Sequence, residues 1–267
     1  ISWDTKERLL AEYTGVASRT ARSWAARLGF TNPIEPTSPQ YEDAKKVKIN
    51  KKSNRFIFTW AQNNTPVHEE FLKNIEAYAE FIGAEIYVIA GRYKNPTSVF
   101  SDKNYDTWHS RTIPYLYANR EKIHKRLVII GDVMVSPTAI TPMTGMKGFS
   151  GSESCIFGHP KVQEETLDVL EGRPEKIMMT TGACTIPNYT DSKAGKKGEF
   201  HHTLGFVVVE VKDNKKVFTR CVTATDEGNF YDLYYKAEFV GGHKKVNMVD
   251  GLNFMSRDRD GKSEITK

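Results

Sequence analysis

Cysteine is scarce in this sequence, and long apolar runs are missing from it. Its 267 residues include three cysteines, Cys155, Cys184 and Cys221, and no Cys-x-x-Cys pair. This usage argues against a disulfide framework and a thiolate zinc site, and fits a reducing compartment. No apolar run approaches the ~18 residues that a membrane-spanning helix needs, and the first thirty residues lack a signal peptide's apolar core. We therefore expect a cytoplasmic protein without a membrane partner.

The motifs of several common enzyme classes are missing too. The chain has no P-loop, no Gly-x-Gly-x-x-Gly, no Gly-x-Ser-x-Gly and no His-Glu-x-x-His. The paired Asp-x-His and Gly-Asn-His elements of metallophosphoesterases are also missing. Any enzymatic function must therefore be argued from residues that lie apart in the sequence.

Positive charge is in excess, mostly near the beginning of the chain. The formal net charge is +5 at pH 7. Residues 1–53 have ten Lys and Arg against six Asp and Glu, whereas the rest has 28 against 27. Local basicity of this kind suits contact with phosphates.

Residues 1–30 predict a helix-turn-helix module. Ala11 ends a first helix, Gly15 provides a turn where a residue without a side chain relieves strain, and Ser18 caps a second helix over residues 19–28. This spacing resembles the helix-turn-helix of many repressors, resolvases and transposases. The alternative is an ordinary helical hairpin with solvated arginines.

The outward face of the second helix carries the predicted DNA contacts. Arg19 and Arg22 would contact guanine edges or phosphates, and Arg27 would contact phosphate. Ser18 and Ser23 lie on the same face. DNA is therefore the predicted partner, and a homo-oligomer is a further expectation because a lone bihelical unit is small.

Composition divides the chain into four zones. A helix-turn-helix (1–30) is followed by a linker (31–53) with three prolines and five lysines, an α/β domain (54–240) and a polar tail (241–267). The tail is expected to be loose. The fold class is thus α/β, a mixed sheet with flanking helices, preceded by a small all-α module.

Hydrophobic spacing predicts the elements of the α/β domain. Strands over 55–61 and 85–90 enclose a helix over 67–82, a βαβ unit that favours parallel pairing. Further helices are predicted over 113–124 and 161–170, and a long loop over 136–151. The remaining predicted strands are 126–135, 154–157, 176–180, 204–212 and 217–225, with a hairpin turn at Asp213 between the last two.

Three predicted strands are followed by polar residues. Asp132, His159 and Thr181 stand at these places. If the strands are parallel neighbours, the three side chains gather at the sheet edge where ligands of α/β folds collect. Asp132 and His159 are therefore candidate catalytic residues and candidate ligands of a divalent metal, Mg²⁺ or Mn²⁺. For Asp132 the alternative is a turn-forming aspartate.

Residues 188–202 (NYTDSKAGKKGEFHH) are the densest polar stretch. Lysines beside a Gly-rich loop can hold phosphates, and histidine with a carboxylate can bind a divalent metal. Asp191, Lys193 and His201 are the candidate catalytic residues here, and His201 is also a candidate metal ligand. If His201 and His202 lay on a strand, they would point to opposite faces. The alternative is a solvated surface loop.

One strand ends in a Glu-x-Lys sequence, Glu210 to Lys212. This ending resembles the core of restriction-endonuclease-like nucleases, where a carboxylate pair binds Mg²⁺ and lysine orients the attacking water. Asp191 would be the partner carboxylate. The alternative is the end of an exposed hairpin strand.

Three segments resemble uncharacterised proteins of tailed phages. They are WAQNNTPVHEEFLKNIEAYAEFIGAEIYVIAGRYKNPTS, IFGHPKVQEETL and TTGACTIPNYTDSKAGKKGEFHHTLGFVVVEV. In some such proteins this region precedes a metallophosphoesterase-type nuclease domain, and those proteins are similar to early host-takeover or DNA-degrading factors. The resemblance implies a phage-encoded protein in the cytoplasm of an infected bacterium, with this chain as the part ahead of such a domain.

Two functions follow from these observations. The first is a DNA-binding protein whose helix-turn-helix delivers the α/β domain to DNA. The alternative is a metal-dependent nuclease or phosphoesterase acting on DNA, or the non-catalytic part of one. A structural or assembly protein is a third, weaker hypothesis.

Overall fold

The computed structural model describes residues 39–93, 107–172, 175–233, 235–240, 243–248, 255–257 and 263–265. The predicted helix-turn-helix, with Ser18, Arg19, Arg22, Ser23 and Arg27, lies outside these residues, and its role in DNA binding stays a prediction. The described residues form a mixed α/β fold, as the hydrophobic spacing predicts.

Three α-helices and fifteen strands occur in the described part of the chain. They are α1 (Pro39–Lys46), β1 (Arg55–Gln62), α2 (Glu69–Ile82), β2 (Glu85–Gly91), a 3-10 turn (Ile113–Tyr115), β3 (Leu116–Tyr117), β4 (Arg120–His124), β5 (Leu127–Ile130), β6 (Ser154–Phe157), β7 (Glu164–Leu167), β8 (Lys176–Thr180), α3 (Lys193–His201), β9 (Gly205–Val211), β10 (Val217–Thr223), β11 (Phe230–Asp232), β12 (Tyr235–Val240), β13 (His243–Met248), β14 (Met255–Arg257) and β15 (Ser263–Ile265). None of these helices is long and apolar enough to cross a bilayer.

Two five-stranded mixed sheets make up the body of the domain. The first has the order β10-β9-β1-β2-β3, with β1, β2 and β3 parallel. The second has the order β4-β5-β6-β8-β7, with β5, β6 and β8 parallel and both edge strands antiparallel. Two smaller sheets, β11-β12-β13 and β14-β15, follow in the chain.

The two large sheets face each other across an apolar core. Phe56, Phe58 and Trp60 of β1 pack there with Ile129 of β5. Ile57 of β1 points the other way and packs in the core beneath α2. Because β1 is buried on both faces, its sequence is a nearly continuous apolar run and does not alternate with polar residues.

The predicted βαβ unit is confirmed. Strands β1 and β2 pair in parallel, and α2 connects them. The helix begins after His68, whose Nδ1 accepts a hydrogen bond from Phe71 N at 3.2 Å. It ends at Gly83, which adopts the left-handed conformation with φ 67°, as the sequence predicts.

Two predicted helices are wrong. Residues 113–124 contain a 3-10 turn, β3 and β4, and residues 161–170 contain β7. In both β4 and β7 exposed and half-buried residues alternate, the pattern of an edge strand with one face on the protein. Pairing with β5 and β8 overrides the helical propensity of these polar segments.

Regular structure also occurs in the predicted linker and tail. Helix α1 lies within residues 31–53, and its Tyr41 is buried and stacks on Trp108 at 5.9 Å between ring centroids. Strands β13, β14 and β15 lie within the stretch expected to be a loose tail. The apolar positions of α1 are too few to stand out beside three prolines and five lysines.

The predicted long loop is confirmed, and it covers the outer face of the second sheet. No helix or strand occurs between β5 and β6, and Met143 and Met146 are buried against Ile130 and Phe157. The strand expected over 126–135 ends earlier, at Ile130. All three cysteines are free, as predicted.

Candidate functional site

The carboxyl ends of the parallel strands meet at one edge of the domain. Strands β5, β6 and β8 are parallel neighbours, so Asp132, His159 and Thr181 follow at the same edge, as the sequence predicts. The first sheet ends here as well: a Cβ on Gly158 would lie 2.5 Å from the Trp60 ring of β1. Only a residue without a side chain allows the two sheets to approach this closely.

His159 is completely buried behind this edge, and both of its ring nitrogens are engaged. The Lys161 amide donates to Nδ1 at 3.0 Å, so Nε2 carries the proton and donates to the Ser136 carbonyl at 3.0 Å. Burial lowers the pKa of His159 to about 4, which keeps the ring neutral at pH 7. The residue therefore positions its loop and has no free nitrogen for catalysis or for a metal.

His201 and His202 stand at the end of α3 and not on a strand. His201 Nε2 lies 2.9 Å from the Pro137 carbonyl, and its ring is 5.6 Å from that of His159. His202 Nε2 bonds the Thr185 carbonyl at 2.7 Å, and its Nδ1 lies 2.8 Å from the Tyr189 hydroxyl. Burial lowers the pKa of His202 to about 4. These bonds fix the carboxyl end of α3 to the sheet edge.

Helix α3 packs through glycines, which leaves its charged face outside. It is capped by Ser192, whose Oγ accepts from Gly195 N at 3.0 Å. Gly195 and Gly198 lie against Thr190 and the Tyr189 ring. The opposite face follows the spacing i, i+3, i+4 and i+7, and it carries Lys193, Lys196, Lys197 and Phe200.

This face lines an open cleft of about 730 Å³, which we call the α3 cleft. Its lining residues are Ile140, Lys161, Asp191, Ser192, Lys193, Lys196, Lys197, Phe200 and His201. Four lysines thus face one aspartate. Lys196 pairs with Asp191 at 2.9 Å, and both side chains are well exposed, so the pair contributes little to stability. Among the described residues, Lys193 and Lys197 form no ion pair, which leaves the cleft strongly positive.

The α3 cleft unites three of the five predicted catalytic residues. Asp191, Lys193 and His201 line it, His159 lies under His201, and Asp132 is bound to Arg120 Nε at 3.0 Å. The predicted set of Asp132, His159 and His201 does not fit a divalent metal, because Arg120 holds the carboxylate and His159 has no free nitrogen. Across the described ranges, no group of three His, Cys, Asp or Glu side chains is placed to bind a metal ion.

The Glu-x-Lys sequence belongs to a hairpin, and the nuclease interpretation of it is wrong. Glu210 pairs with Arg55 at the amino end of β1, the edge opposite to the α3 cleft. Its carboxylate accepts from Arg220 at 3.0 Å. Asp213 then caps the turn into β10 by accepting from two backbone amides. This is the exposed hairpin end that the sequence offered as the alternative.

Sequence reasoning missed three residues of the α3 cleft, Ile140, Lys161 and Phe200. The spacing of Lys193, Lys197 and Phe200, at i, i+4 and i+7, could have predicted that these side chains share one face of a helix. Two glycines conceal it, because glycine normally opposes helix formation by about 1 kcal/mol.

Replacing Gly195 with alanine should destabilise the protein, although alanine normally favours a helix. A Cβ at this position would lie 1.9 Å from the Thr190 carbonyl oxygen, which is backbone and cannot swing away. We expect a net loss of about 2 kcal/mol in chemical denaturation. Gly145→Ala is the matched control, since its Cβ would meet nothing within 4 Å. Equal stability of the two variants would show that α3 does not pack as described.

Fold and site together define a two-sheet α/β domain with a basic cleft at the carboxyl edge of its parallel strands. No protein-family model matches the chain. The chain is similar to Protein A1 of Escherichia phage T5, with 31% identity over 216 residues. This alignment covers 76% of the chain and 38% of Protein A1, so the chain spans well under half of its relative. The predicted relation to phage proteins is confirmed to that extent.

A solved structure also overlaps the chain. Vps29 of Chaetomium thermophilum covers 72% of this chain and 95% of its own, with 8% identity and a TM-score of 0.32. Because this TM-score is low, we describe the fold from its own strand order and do not base it on this similarity.

Proposed function

We propose that the α/β domain binds the phosphate backbone of nucleic acid in the α3 cleft, as the phosphate-holding part of a phage protein that acts on DNA. The observation behind this is the charge of the cleft: Lys161, Lys193, Lys196 and Lys197 face Asp191 alone. The similarity to a phage protein supports a role in phage infection.

Lysines on an open cleft act on nucleic acid mainly by replacing counterions. Each phosphate neutralised by a lysine releases condensed cations, so affinity falls steeply as salt rises. Lys193 and Lys197 have no carboxylate partner among the described residues, and their charges are available for phosphate. Such contacts position a backbone and carry no sequence information. Sequence preference would come from the predicted helix-turn-helix, through Arg19 and Arg22.

The double variant Lys193→Ala/Lys197→Ala should bind DNA about 10-fold more weakly than the unaltered chain at low salt. The slope of log affinity against log salt should also become shallower by about 1.5, because two phosphate contacts are lost. Fluorescence anisotropy with a labelled oligonucleotide at several salt concentrations measures both quantities.

The matched control is Lys215→Ala/Lys216→Ala, which removes the same charge from the exposed β9–β10 turn. If both double variants lose affinity equally, binding follows net charge alone and the α3 cleft has no special role. The variant Arg19→Ala/Arg22→Ala, measured beside them, separates the contribution of the helix-turn-helix.

Hydrolysis of DNA is the second candidate function. One observation favours it: Asp191, Lys193 and His201 line the same cleft. A plasmid-cleavage assay with this chain in Mg²⁺ or Mn²⁺ tests it, and supercoiled plasmid that stays intact in both metals would leave only the binding role. Cleavage that EDTA stops and His201→Ala abolishes would establish the enzyme instead.

A further inference from the structure

Phe200 is the most exposed large apolar side chain in the described part of the protein, at 93%. It stands on the lysine face of α3, three and four residues after Lys197 and Lys196. Ile140, 49% exposed, lies in the same cleft. A single exposed apolar residue is ordinary on a protein surface. An exposed ring on the same helical face as three lysines, in a cleft that also holds Lys161 and a second exposed apolar residue, is a built arrangement.

The sequence of α3 disfavours the helix in two ways. Lys193 repels Lys196 and Lys197 across one turn, and two interior glycines oppose the helix. Contacts at the two ends of the helix hold it in place: the Ser192 cap, and the bonds of His201 and of the adjacent C-cap His202. Rigid support beneath an unfavourable surface is typical of a binding site.

We infer that the α3 cleft takes single-stranded nucleic acid, with one unpaired base stacked on the Phe200 ring and neighbouring phosphates on the lysines. This inference rests on the proposed function. A ring can stack on any unpaired base, since every base has an aromatic face. In a duplex those faces are covered by neighbouring base pairs, and only base edges reach the grooves. Phenylalanine has no hydrogen-bonding group with which to read an edge.

The test compares three probes with the full chain: an oligo-dT strand, an abasic strand of the same length, and a duplex. We expect Phe200→Ala to weaken binding of oligo-dT about 10-fold, the scale of one lost base stack. The affinity of Phe200→Ala for the abasic strand and for the duplex should equal that of the unaltered chain, because neither probe offers an open base face. Phe200→Trp should restore oligo-dT binding. Lys193→Ala/Lys197→Ala should weaken binding of the abasic strand as well.

Each other outcome has a definite meaning. If Phe200→Ala binds oligo-dT normally while the lysine variant binds weakly, the stacking inference fails and the proposed function stands. If Phe200→Ala loses oligo-dT and the abasic strand equally, the ring supports the helix and does not stack on a base, which also overturns the inference. If neither variant changes the binding of any probe, the proposed function fails too.

Discussion

Acidification from pH 7 to pH 4 is expected to lower the free energy of unfolding by about 6 kcal/mol through two histidines, His159 and His202. Each has a pKa of about 4 in the folded protein, against an ordinary value of 6.5. This difference corresponds to about 3 kcal/mol for each group at pH 4. Because domains are commonly stable by only about 5–15 kcal/mol, the protein should unfold at or near that pH.

The sign follows from where the protons bind. Below pH 6.5 the unfolded chain takes up protons on both histidines, whereas burial keeps the folded rings neutral. The unfolded state then binds more protons, and stability falls with the pH. The stability that depends on neutral histidines is fully present above pH 6.5 and is lost progressively as the pH falls to 4. Carboxylates titrate at the acid end of this window, at about 3.9 for aspartate and about 4.3 for glutamate, so the histidines dominate its upper part.

Chemical denaturation at pH values between 4.5 and 7.5 measures this dependence. The variants His159→Gln and His202→Gln keep an amide donor near the position of Nε2 but do not titrate. Each should be less stable at pH 7 and should lose about half of the pH dependence. Unchanged pH dependence in both variants would contradict the expectation. Binding assays on the α3 cleft belong at pH 7 or above, since acid weakens the support of α3.

Replacing Asp232 with alanine is expected to lower the free energy of unfolding by about 3–5 kcal/mol. The Asp232 side chain is 2% exposed and accepts from Arg220 Nε at 2.5 Å and from Tyr78 Oη at 2.6 Å. A second guanidinium nitrogen donates to it at 2.9 Å. Removal of the carboxylate leaves a partly buried cation with only Glu210, and a buried hydroxyl without its acceptor.

Urea denaturation of Asp232→Ala beside Asp168→Ala checks this prediction. Asp168 is exposed, so its removal should change stability by less than about 0.5 kcal/mol. Asp232→Asn, which retains a hydrogen-bond acceptor, should fall between the two. A loss below about 1 kcal/mol in Asp232→Ala would show that Arg220 and Tyr78 do not depend on this carboxylate.

Both expected effects concern the framework and not the α3 cleft itself. His159 and His202 hold the end of α3, and Asp232 joins β11 to β10 and α2. The lysines and Phe200 are exposed, and their substitution should change binding with little change in stability. Stability and binding can therefore be measured on different variants.

Local sequence determined much of this fold. Apolar runs over 55–61, 85–90 and 126–130 are strands because they are buried on both faces, and the spacing over 67–82 is helical. Asp213 marks the hairpin. The polar residues that follow β5, β6 and β8 indicated the sheet edge at which Asp132, His159 and Thr181 lie. The density of lysines and histidines over 188–202 indicated the segment that lines the α3 cleft.

Only the tertiary structure decided the rest, because the deciding contacts join residues far apart in the chain. Strands β4 and β7 have helix-like sequences and become strands by pairing with neighbours. Helix α3 packs closely because Gly195 fits against Thr190, a contact that offsets part of the usual cost of glycine in a helix. Asp132 pairs with Arg120, and the two ring nitrogens of His159 bond the Ser136 carbonyl and the Lys161 amide. No periodicity in the sequence records these partners.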